Sequence, residues 1–557
     1  MKLFFRKNRI QLTPDEKTEL RRQRLLLILS GLLLGLSFPP LPVPQLLLFG
    51  LVPYFYVLES RDKLIKINQA TYLMAFIFGL VTLYWVGSWQ STADPFLMIS
   101  GVLLVFINPV FFLIPSTIYY FCRKTFNRNI ALFLLPLFWV TYEYAYMLTD
   151  VSFPWIVLGN GLAKFLSFIQ IADVIGTLGL SVLVIYINIF LYRAFTNYKT
   201  AWKKYYVNLS IAVLLIITPI VYGLIRVYTL DLSDEKIKVG LIQPNLDPWD
   251  KWSGGSIEGI AQLHFDLSQK AVNNGAELII WPETAFPAYL FGGSYSPTVN
   301  SVYNFIRKNN VYLLTGMPDI RFYNDSDKKP DDAKYNESGN YYYATYNAIF
   351  LVSPETFDLQ KYGKMKLVPF GERVPFAESI PFLGSMIKWS VGISGWNVGK
   401  DTINFSVPSA YFKDLNRNDS LYINGMVCYE SIYPYYIANF VQRGAGIIAV
   451  VTNDSWYGKL SGPYQHKEYS VLRAIENRRS VVRAANGGVS CIINPLGITE
   501  KETDMFERTY ITGDVIIQGG MTFFTKYPMI IPILSSAVSL WMIGIFLLRK
   551  LKGKLKR

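Results

Sequence analysis

Histidine is nearly absent from this chain: 557 residues include only His264 and His466. With no clustered carboxylate–histidine spacing, a metal centre has few ligands to draw on. A Cys–His nucleophile pair is poorly supplied too, because neither histidine lies near Cys428 in sequence. Cysteine is scarce, with Cys122, Cys428 and Cys491 the full complement. Charged residues make up only 17% of the chain, too few for an ordinary soluble enzyme of this length. No internal repeat occurs. The N-terminus is expected to be an uncleaved first helix: a basic region precedes an apolar core, but Phe38-Pro39-Pro40 offers no small-x-small site, and further apolar runs follow at once.

What fills the chain is apolar, at 51% hydrophobic and 16% aromatic residues. Long apolar stretches, uncharged but for Glu143, run over Leu25–Phe38, Val43–Leu58, Thr71–Trp85, Phe96–Phe121, Ile130–Met147, Ile175–Leu191, Val207–Ile225 and Pro528–Leu548. A helix needs about 20 apolar residues to cross the hydrocarbon core, so several are comfortable spans and the first three are short. The expectation is a multi-pass α-helical membrane bundle of about eight spans, seven of them in residues 1–226. Residues 227–526 then form a polar domain, and residues 527–557 a final span with a basic tail.

Basic residues orient this bundle. Lys2, Arg6, Lys7, Arg9, Lys17, Arg21, Arg22 and Arg24 precede the first span. Further clusters follow the second (Arg61, Lys63, Lys66), fourth (Arg123, Lys124, Arg128) and sixth (Arg193, Lys199, Lys203, Lys204) spans. Arg549, Lys550, Lys552, Lys554, Lys556 and Arg557 close the chain. Eight spans put every cluster on one side, which the positive-inside rule makes the cytoplasm. The polar domain is then expected across the membrane, in the periplasm of a bacterium or outside the cell. The net charge of +14 needs no nucleic-acid partner, since much of it sits in these clusters. Trp85, Trp89, Trp155 and Trp202 suit interface belts. Glu143 and Asp173 are ionisable residues at or near membrane depth, each by default a functional hypothesis. Glu143 is expected to line a lipid-headgroup pocket or to support the polar domain from below, and Asp173 to mark an interfacial turn before the sixth span.

The polar domain is long enough to bury its own core. Short β-branched runs at Lys236–Gln243, Glu277–Trp281, Tyr312–Gly316, Tyr346–Val352, Tyr422–Cys428, Gly446–Thr452 and Gly488–Asn494 read as strands. Ile257–Asn273, Ser301–Lys308 and Gln465–Arg478 carry helical spacing, so an α/β layered domain is expected. Asp319–Tyr343, rich in Asp, Lys, Asn, Ser and Gly, reads as a mobile surface insertion.

Three stretches of this domain carry chemistry. WPETAFP (281–287) holds Glu283, KMKLVPFGE (364–372) holds Lys364, Lys366 and Glu372, and MVCYES (426–431) holds Cys428. A carboxylate, an ammonium and a thiol supply a base, an oxyanion stabiliser and a nucleophile for acyl transfer through a thioester. Glu283 follows one strand candidate, Cys428 ends another, and Asn453-Asp454 ends a third. Strand ends converging on one rim are where α/β folds gather catalytic groups. A thiol of pKa about 8.5 is mostly protonated at neutral pH, and with histidine so scarce a carboxylate is the natural base. A site of this kind bracketed by membrane spans suggests that the acyl chain comes from the bilayer.

These motifs, followed by TNDSWYG (452–458), PYQH (463–466) and RAANGG (483–488), resemble the nitrilase superfamily. More narrowly, with FPW (153–155) after the fifth span, they resemble its membrane-embedded apolipoprotein N-acyltransferase family. The resemblance implies a four-layer αββα sandwich on a helical bundle in a bacterial inner membrane, both termini cytoplasmic. It implies acyl transfer from a phospholipid, typically phosphatidylethanolamine, to the α-amino group of a lipoprotein's diacylglyceryl-cysteine, with no cofactor or metal. It makes Cys428 the nucleophile, Glu283 the general base and Lys364, rather than Lys366, the oxyanion partner. Glu372 would support Lys364, while Tyr429 and Glu430 would shape the pocket. Trp252 would handle substrate, and Pro375 and Glu143 are further candidate substrate contacts. A monomer suffices.

Two departures stand out: Arg373 replaces the aromatic residue that many members carry after PFGE, and Asp319–Tyr343 is inserted. Blander readings stay open beside these roles. Cys122 and Cys491 read as buried filler, Cys428 and Cys491 could pair as a disulfide, and Glu430 could be a structural ion-pair member. Two rival functions also remain: a membrane-anchored nitrilase-type amidase or hydrolase, and a non-catalytic lipoprotein-binding scaffold.

Overall fold

The protein is described by a computed structural model over residues 13–90, 95–252, 256–324, 327–376, 395–415 and 418–555. The basic residues Lys2, Arg6, Lys7, Arg9, Lys556 and Arg557 lie outside the described residues, as do positions 325 and 326 of the expected insertion.

Six helical stretches among the described residues are long and apolar enough to cross a membrane: Leu64–Gly87, Pro95–Thr125, Arg128–Met147, Ala172–Asn197, Trp202–Thr229 and Ile530–Lys552. The other two expected spans are helical but fall short of that standard. Pro14–Leu36 opens on a Thr13–Glu16 capping box and a charged first half, becoming apolar only from Leu25. Pro44–Glu59 is a shorter apolar helix. Gly31 and Gly35, four residues apart, let the Pro14–Leu36 helix lie close on its neighbour: a Cβ would stand 2.6 Å from Met74 O at Gly31 and 2.6 Å from Val81 Cβ at Gly35.

The polar domain is built on two sheets. The first is ordered β13-β1-β2-β3-β5-β4, with β6 on β5: β1 Lys236–Gln243, β2 Leu278–Trp281, β3 Tyr312–Tyr323, β4 Lys334–Asn336, β5 Tyr341–Val352, β6 Leu359–Gly363 and β13 Thr509–Ile516. The second is ordered β12-β11-β10-β9-β8-β7: β7 Phe405–Pro408, β8 Ser420–Val427, β9 Ala445–Thr452, β10 Ser480–Ala485, β11 Cys491–Ile493 and β12 Thr499–Glu502. Strands β1, β2 and β3 run parallel, as do β8, β9 and β10. Strand alternation divides the core. Ile237, Val239 and Leu241 of β1, Leu278 and Ile280 of β2, and Ile349 and Leu351 of β5 join one cluster with Ile423, Ile447 and Val481 of the second sheet. Their neighbours Ile242, Ile279, Trp281, Ala348 and Phe350 form a second cluster with the helices Ile257–Asn273 and Ser296–Asn309. Helices Pro434–Gln442 and Ser461–Asn477 pack on the second sheet. The layers are therefore helix, sheet, sheet, helix, as the sequence reading expects.

The expected surface insertion has a different form. β3 continues to Tyr323, β4 covers Lys334–Asn336 and β5 starts at Tyr341, so both ends of Asp319–Tyr343 are strands that extend the first sheet. Tyrosine and asparagine obscure the two-residue apolar alternation that marks a strand.

The Ser461–Asn477 helix ties this domain to the bundle. Its Gln465 Oε1 accepts from the indole N–H of both Trp85 (3.0 Å) and Trp155 (2.6 Å). The Ala172–Asn197 helix breaks at Gly176 (φ +63°), freeing Thr177 N to donate to Glu476 Oε1 at 2.7 Å. Just past the Ser461–Asn477 helix, the Arg478 guanidinium meets the Asp173 carboxylate at 2.7 Å, and Arg226 meets it at 3.0 Å. Asp173 thus lies at the junction of the two parts, in the first turn of the sixth expected span.

Candidate active site

The parallel strands deliver their C-terminal ends to one rim. Glu283 follows β2, Cys428 follows β8, Asn453 follows β9, and Lys364 follows β6 at the edge of the first sheet. Glu283, Lys364, Glu372 and Cys428 line a single cavity together with Trp252, Asn347, Asn453 and Tyr457. Three distant segments of sequence thus meet in one place.

Cys428 sits at a strained turn. Its φ is +50°, a left-handed conformation that a side-chain-bearing residue adopts at some cost, and it falls where β8 gives way to a 3₁₀ turn. Glu430 holds this turn in place. Its carboxylate is fully buried and accepts from Val427 N (2.9 Å), Met365 N (2.7 Å) and Tyr362 OH (2.6 Å). It therefore ties the cysteine turn to the lysine loop and does not line the cavity. Tyr429 does similar work toward the bundle, where its hydroxyl donates to Ser152 O and its ring stacks on Phe153 at 5.9 Å.

Glu283 is held on both oxygens. Asn347 Nδ2 donates to Oε1 at 2.7 Å and Asn453 N donates to Oε2 at 2.9 Å. Lys364 Nζ lies 2.8 Å from Glu372 Oε1 and 3.5 Å from Glu283 Oε1. Glu372 is fixed in turn by Val368 N at 2.8 Å and by Asn347 Nδ2 at 2.9 Å, so one amide bridges the two glutamates. Lys366 is turned away, with its ammonium over the Tyr433 ring.

These neighbours set the protonation states. Burial raises the Glu283 carboxyl above its ordinary value, with Lys364 opposing and Glu372 adding to the rise. Burial and the Glu283 charge push the Cys428 thiol up, against the pull of Lys364. The resting thiol is therefore protonated and needs a base to become a nucleophile. For Lys364, burial works against the ammonium, but Glu372 and Glu283 overcome it and hold it charged.

A second network stands behind the cysteine. His466 Nε2 lies 3.1 Å from the Cys428 carbonyl, and Nδ1 lies 2.9 Å from Asp454 Oδ1. Arg483 Nη2 is 2.5 Å from Asp454 Oδ2. Cys428, Asp454 and His466 present ligand atoms within 4.8 Å of one another, but the Arg483 charge already neutralises Asp454, so the cluster reads as an ion-pair network that positions the turn. Despite burial, Arg483 and His466 hold the Asp454 carboxyl well below the usual carboxylate range. Cys122, Cys428 and Cys491 are free thiols, so the alternative pairing of Cys428 with Cys491 does not form.

The remaining candidates separate. Trp252 lines the cavity shared by Glu283, Lys364 and Cys428. Pro375 lines a different, polar cleft beside Met147–Ser152, together with Arg373. Glu143 lies inside the bundle, where it accepts from Leu158 N at 2.9 Å and Trp139 Nε1 at 3.2 Å, and it lines neither space. Sequence reasoning gave no role to Asn347 or Arg483. Asn347 is the one amide in the apolar run ATYNAIFLV, and that isolation was its only signal.

Comparison with known proteins matches both halves of the chain. Residues 30–190 match the family described as "Apolipoprotein N-acyltransferase N-terminal domain", and residues 238–519 match "Carbon-nitrogen hydrolase". An apolipoprotein N-acyltransferase of Chlorobaculum tepidum is 34% identical over 512 residues, covering 91% of this chain and 93% of its own. One of Geobacter metallireducens is 31% identical over 525 residues, covering 92% and 93%. Among solved structures, an amidase from Nesterenkonia sp. overlays on 52% of this chain and 94% of its own, at 15% identity and a TM-score of 0.33.

Proposed function

Because the chain belongs to the apolipoprotein N-acyltransferase family, we propose that Glu283, Lys364 and Cys428 carry its reaction, the N-acylation of lipoproteins. Glu283 takes the thiol proton as Cys428 Sγ attacks the ester carbonyl of a membrane phospholipid. Lys364 meets the negative charge that develops on the carbonyl oxygen, in a buried site where such a charge is weakly screened. The carbon–oxygen bond breaks, Glu283 returns the proton to the leaving glycerol oxygen, and the acyl chain stays on sulfur. In the second half, Glu283 deprotonates the α-amine of a diacylglyceryl-cysteine, and that amine displaces the thiolate to form an amide. Glu372 and Asn347 act as positioning residues that share Lys364 and Glu283 between them.

The observation that carries this reading is the single cavity in which a protonated thiol, a basic carboxylate and a charged ammonium meet. Its setting supports a lipid donor. The cysteine turn is fastened to Ser152 and Phe153, at the end of a membrane-length helix, and a second space beside Cys428 is lined by Trp85, Phe153 and Trp155. Phosphatidylethanolamine fits as donor, and one copy of the chain suffices. The Pro14–Leu36 helix, charged in its first half, and the shorter Pro44–Glu59 helix complete eight spans in this reading. With these, both termini are cytoplasmic and the catalytic domain is periplasmic, as the basic clusters require.

The rival fate of the thioester is attack by water. Purified protein charged with a labelled phosphatidylethanolamine acyl chain and then given a diacylglyceryl-cysteinyl peptide separates the two. The transferase yields N-acyl peptide at the expense of free acid. Labelled fatty acid at the same rate with or without peptide contradicts the reading.

A further inference from the structure

Three buried polar side-chain atoms on the wall of the catalytic cavity have no hydrogen-bond partner among the described residues: Asn453 Nδ2, Asn347 Oδ1 and Trp252 Nε1. A buried polar group left unpaired costs about 1–3 kcal/mol, so groups of this kind in a cavity face a partner that arrives from outside.

Asn453 is the most sharply defined of the three. It is 2% exposed, and the hydrogen bonds around it fix which end of its amide is bonded and which is left free. Leu246 N donates to Asn486 Oδ1 at 3.1 Å, and Asn486 Nδ2 donates to Leu246 O at 2.6 Å, which sets the orientation of Asn486. The same Nδ2 reaches Asn453 Oδ1 at 3.2 Å. The oxygen end of Asn453 is therefore used, and its NH₂ end is left without a partner. Its backbone binds the base directly: Asn453 N donates to Glu283 Oε2 while Asn347 occupies Oε1, and both asparagines line the same cavity.

A group beside Glu283 Oε2 meets the atoms that exchange a proton with Glu283. These are the glycerol oxygen that leaves in the first half-reaction and the amine nitrogen that arrives in the second. The amine needs its lone pair for the carbonyl carbon and has hydrogens to give, so an N–H donor offers it nothing. The leaving oxygen gains an electron pair as its bond to carbon breaks, and it gains from a donor. Resting on the acyl-transfer reading above, we propose that Asn453 is a catalytic residue whose side-chain N–H donates to the leaving glycerol oxygen of the phospholipid. The sulfur–carbon bond forms and the carbon–oxygen bond breaks with its electrons on oxygen. The thiol proton passes through Glu283 to that oxygen, and the Asn453 hydrogen bond holds the charge until the proton arrives.

The test compares two acyl donors of unequal leaving group in Asn453→Ala and in Asn453→Leu, which keeps the volume. Acyl-enzyme formation from phosphatidylethanolamine, read as lysophospholipid released in a single turnover, falls about 10²-fold. Formation from a p-nitrophenyl ester of the same chain, whose leaving oxygen needs no such help, falls less than about 3-fold and shows that the variant is folded. Equal losses on both esters overturn the proposal, since a general oxyanion donor or a structural residue would slow both. A loss confined to transfer from a preformed thioester to the peptide overturns it too. Wild type forming no Cys428 adduct from either ester overturns the acyl-transfer reading, and this role with it.

Discussion

Replacing Glu372 with glutamine probes the division of labour in the cavity. Glu372 Oε1 lies 2.8 Å from the Lys364 ammonium, against 3.5 Å for Glu283 Oε1, so the supporting carboxylate and not the base is the lysine's nearer partner. Glutamine keeps the side-chain shape but removes the charge, and its one carbonyl oxygen can take the place of Oε1, which accepts from Lys364, or of Oε2, which accepts from Val368 N, but not of both. A hydrogen bond to a charged group contributes about 1.5–3 kcal/mol, which corresponds to roughly a 10- to 150-fold slower acyl-enzyme formation if that is what holds Lys364 off the base. The pH dependence gives a second, sharper readout. As the proposed base, Glu283 would act above its own pKa, which burial raises, with Lys364 opposing and Glu372 adding to the rise. The wild-type rate therefore falls, as pH drops, at a higher pH than an ordinary glutamate would give. Removing the Glu372 charge and letting Lys364 close on Glu283 both lower that pKa, so the acidic limb of Glu372→Gln moves to lower pH. The assay is single-turnover lysophospholipid release across pH 4 to 8 (a range of about four units around the carboxylate values). A variant within about 2-fold of wild type, or an acidic limb moved upward, refutes the reasoning.

Other consequences can be checked more briefly. Asp173→Asn strips the charge partner of the buried Arg478 and should destabilise the junction of bundle and catalytic domain by about 3–5 kcal/mol, seen as a lowered Tm in detergent. Gly316→Ala would set a Cβ 2.7 Å from Glu283 Cα and 2.8 Å from Pro282 O, both backbone atoms, so the base must shift. Acyl-enzyme formation should fall about 10²-fold, while circular dichroism reports an unchanged fold. Cys491→Ser lies in β11 away from the cavity and should leave one acyl chain per molecule on mass spectrometry, with a modest loss of Tm for burying a hydroxyl.

The elements that present the proposed catalytic groups were readable because their runs are short, β-branched and bounded. β1 and β9 match the expected strands within a residue, and Glu283, Cys428 and Asn453 fall just past strand ends as expected. β10 escaped because Arg483 interrupts its apolar pattern, and only the fold reveals that this guanidinium is buried against Asp454. Asn347 escaped for a related reason: one amide inside an apolar strand looks like a surface position until Glu283 and Glu372 are seen on either side of it. The left-handed backbone of Cys428 carries no sequence mark, since it is imposed by Glu430 gathering three backbone N–H groups around the turn. Glu143 shows the opposite limit. Its burial was legible, but its partners Leu158 and Trp139 place it in the interior of the bundle, and composition could not tell that from a headgroup pocket.

The most direct test of the account is intact-mass spectrometry of the purified protein after incubation with phosphatidylethanolamine, for wild type and for Cys428→Ala. The account predicts a single acyl adduct, released by hydroxylamine, on wild type alone. An adduct that persists in Cys428→Ala, or its absence from folded wild type supplied with lipid, would contradict the assignment of Cys428 as the acyl carrier.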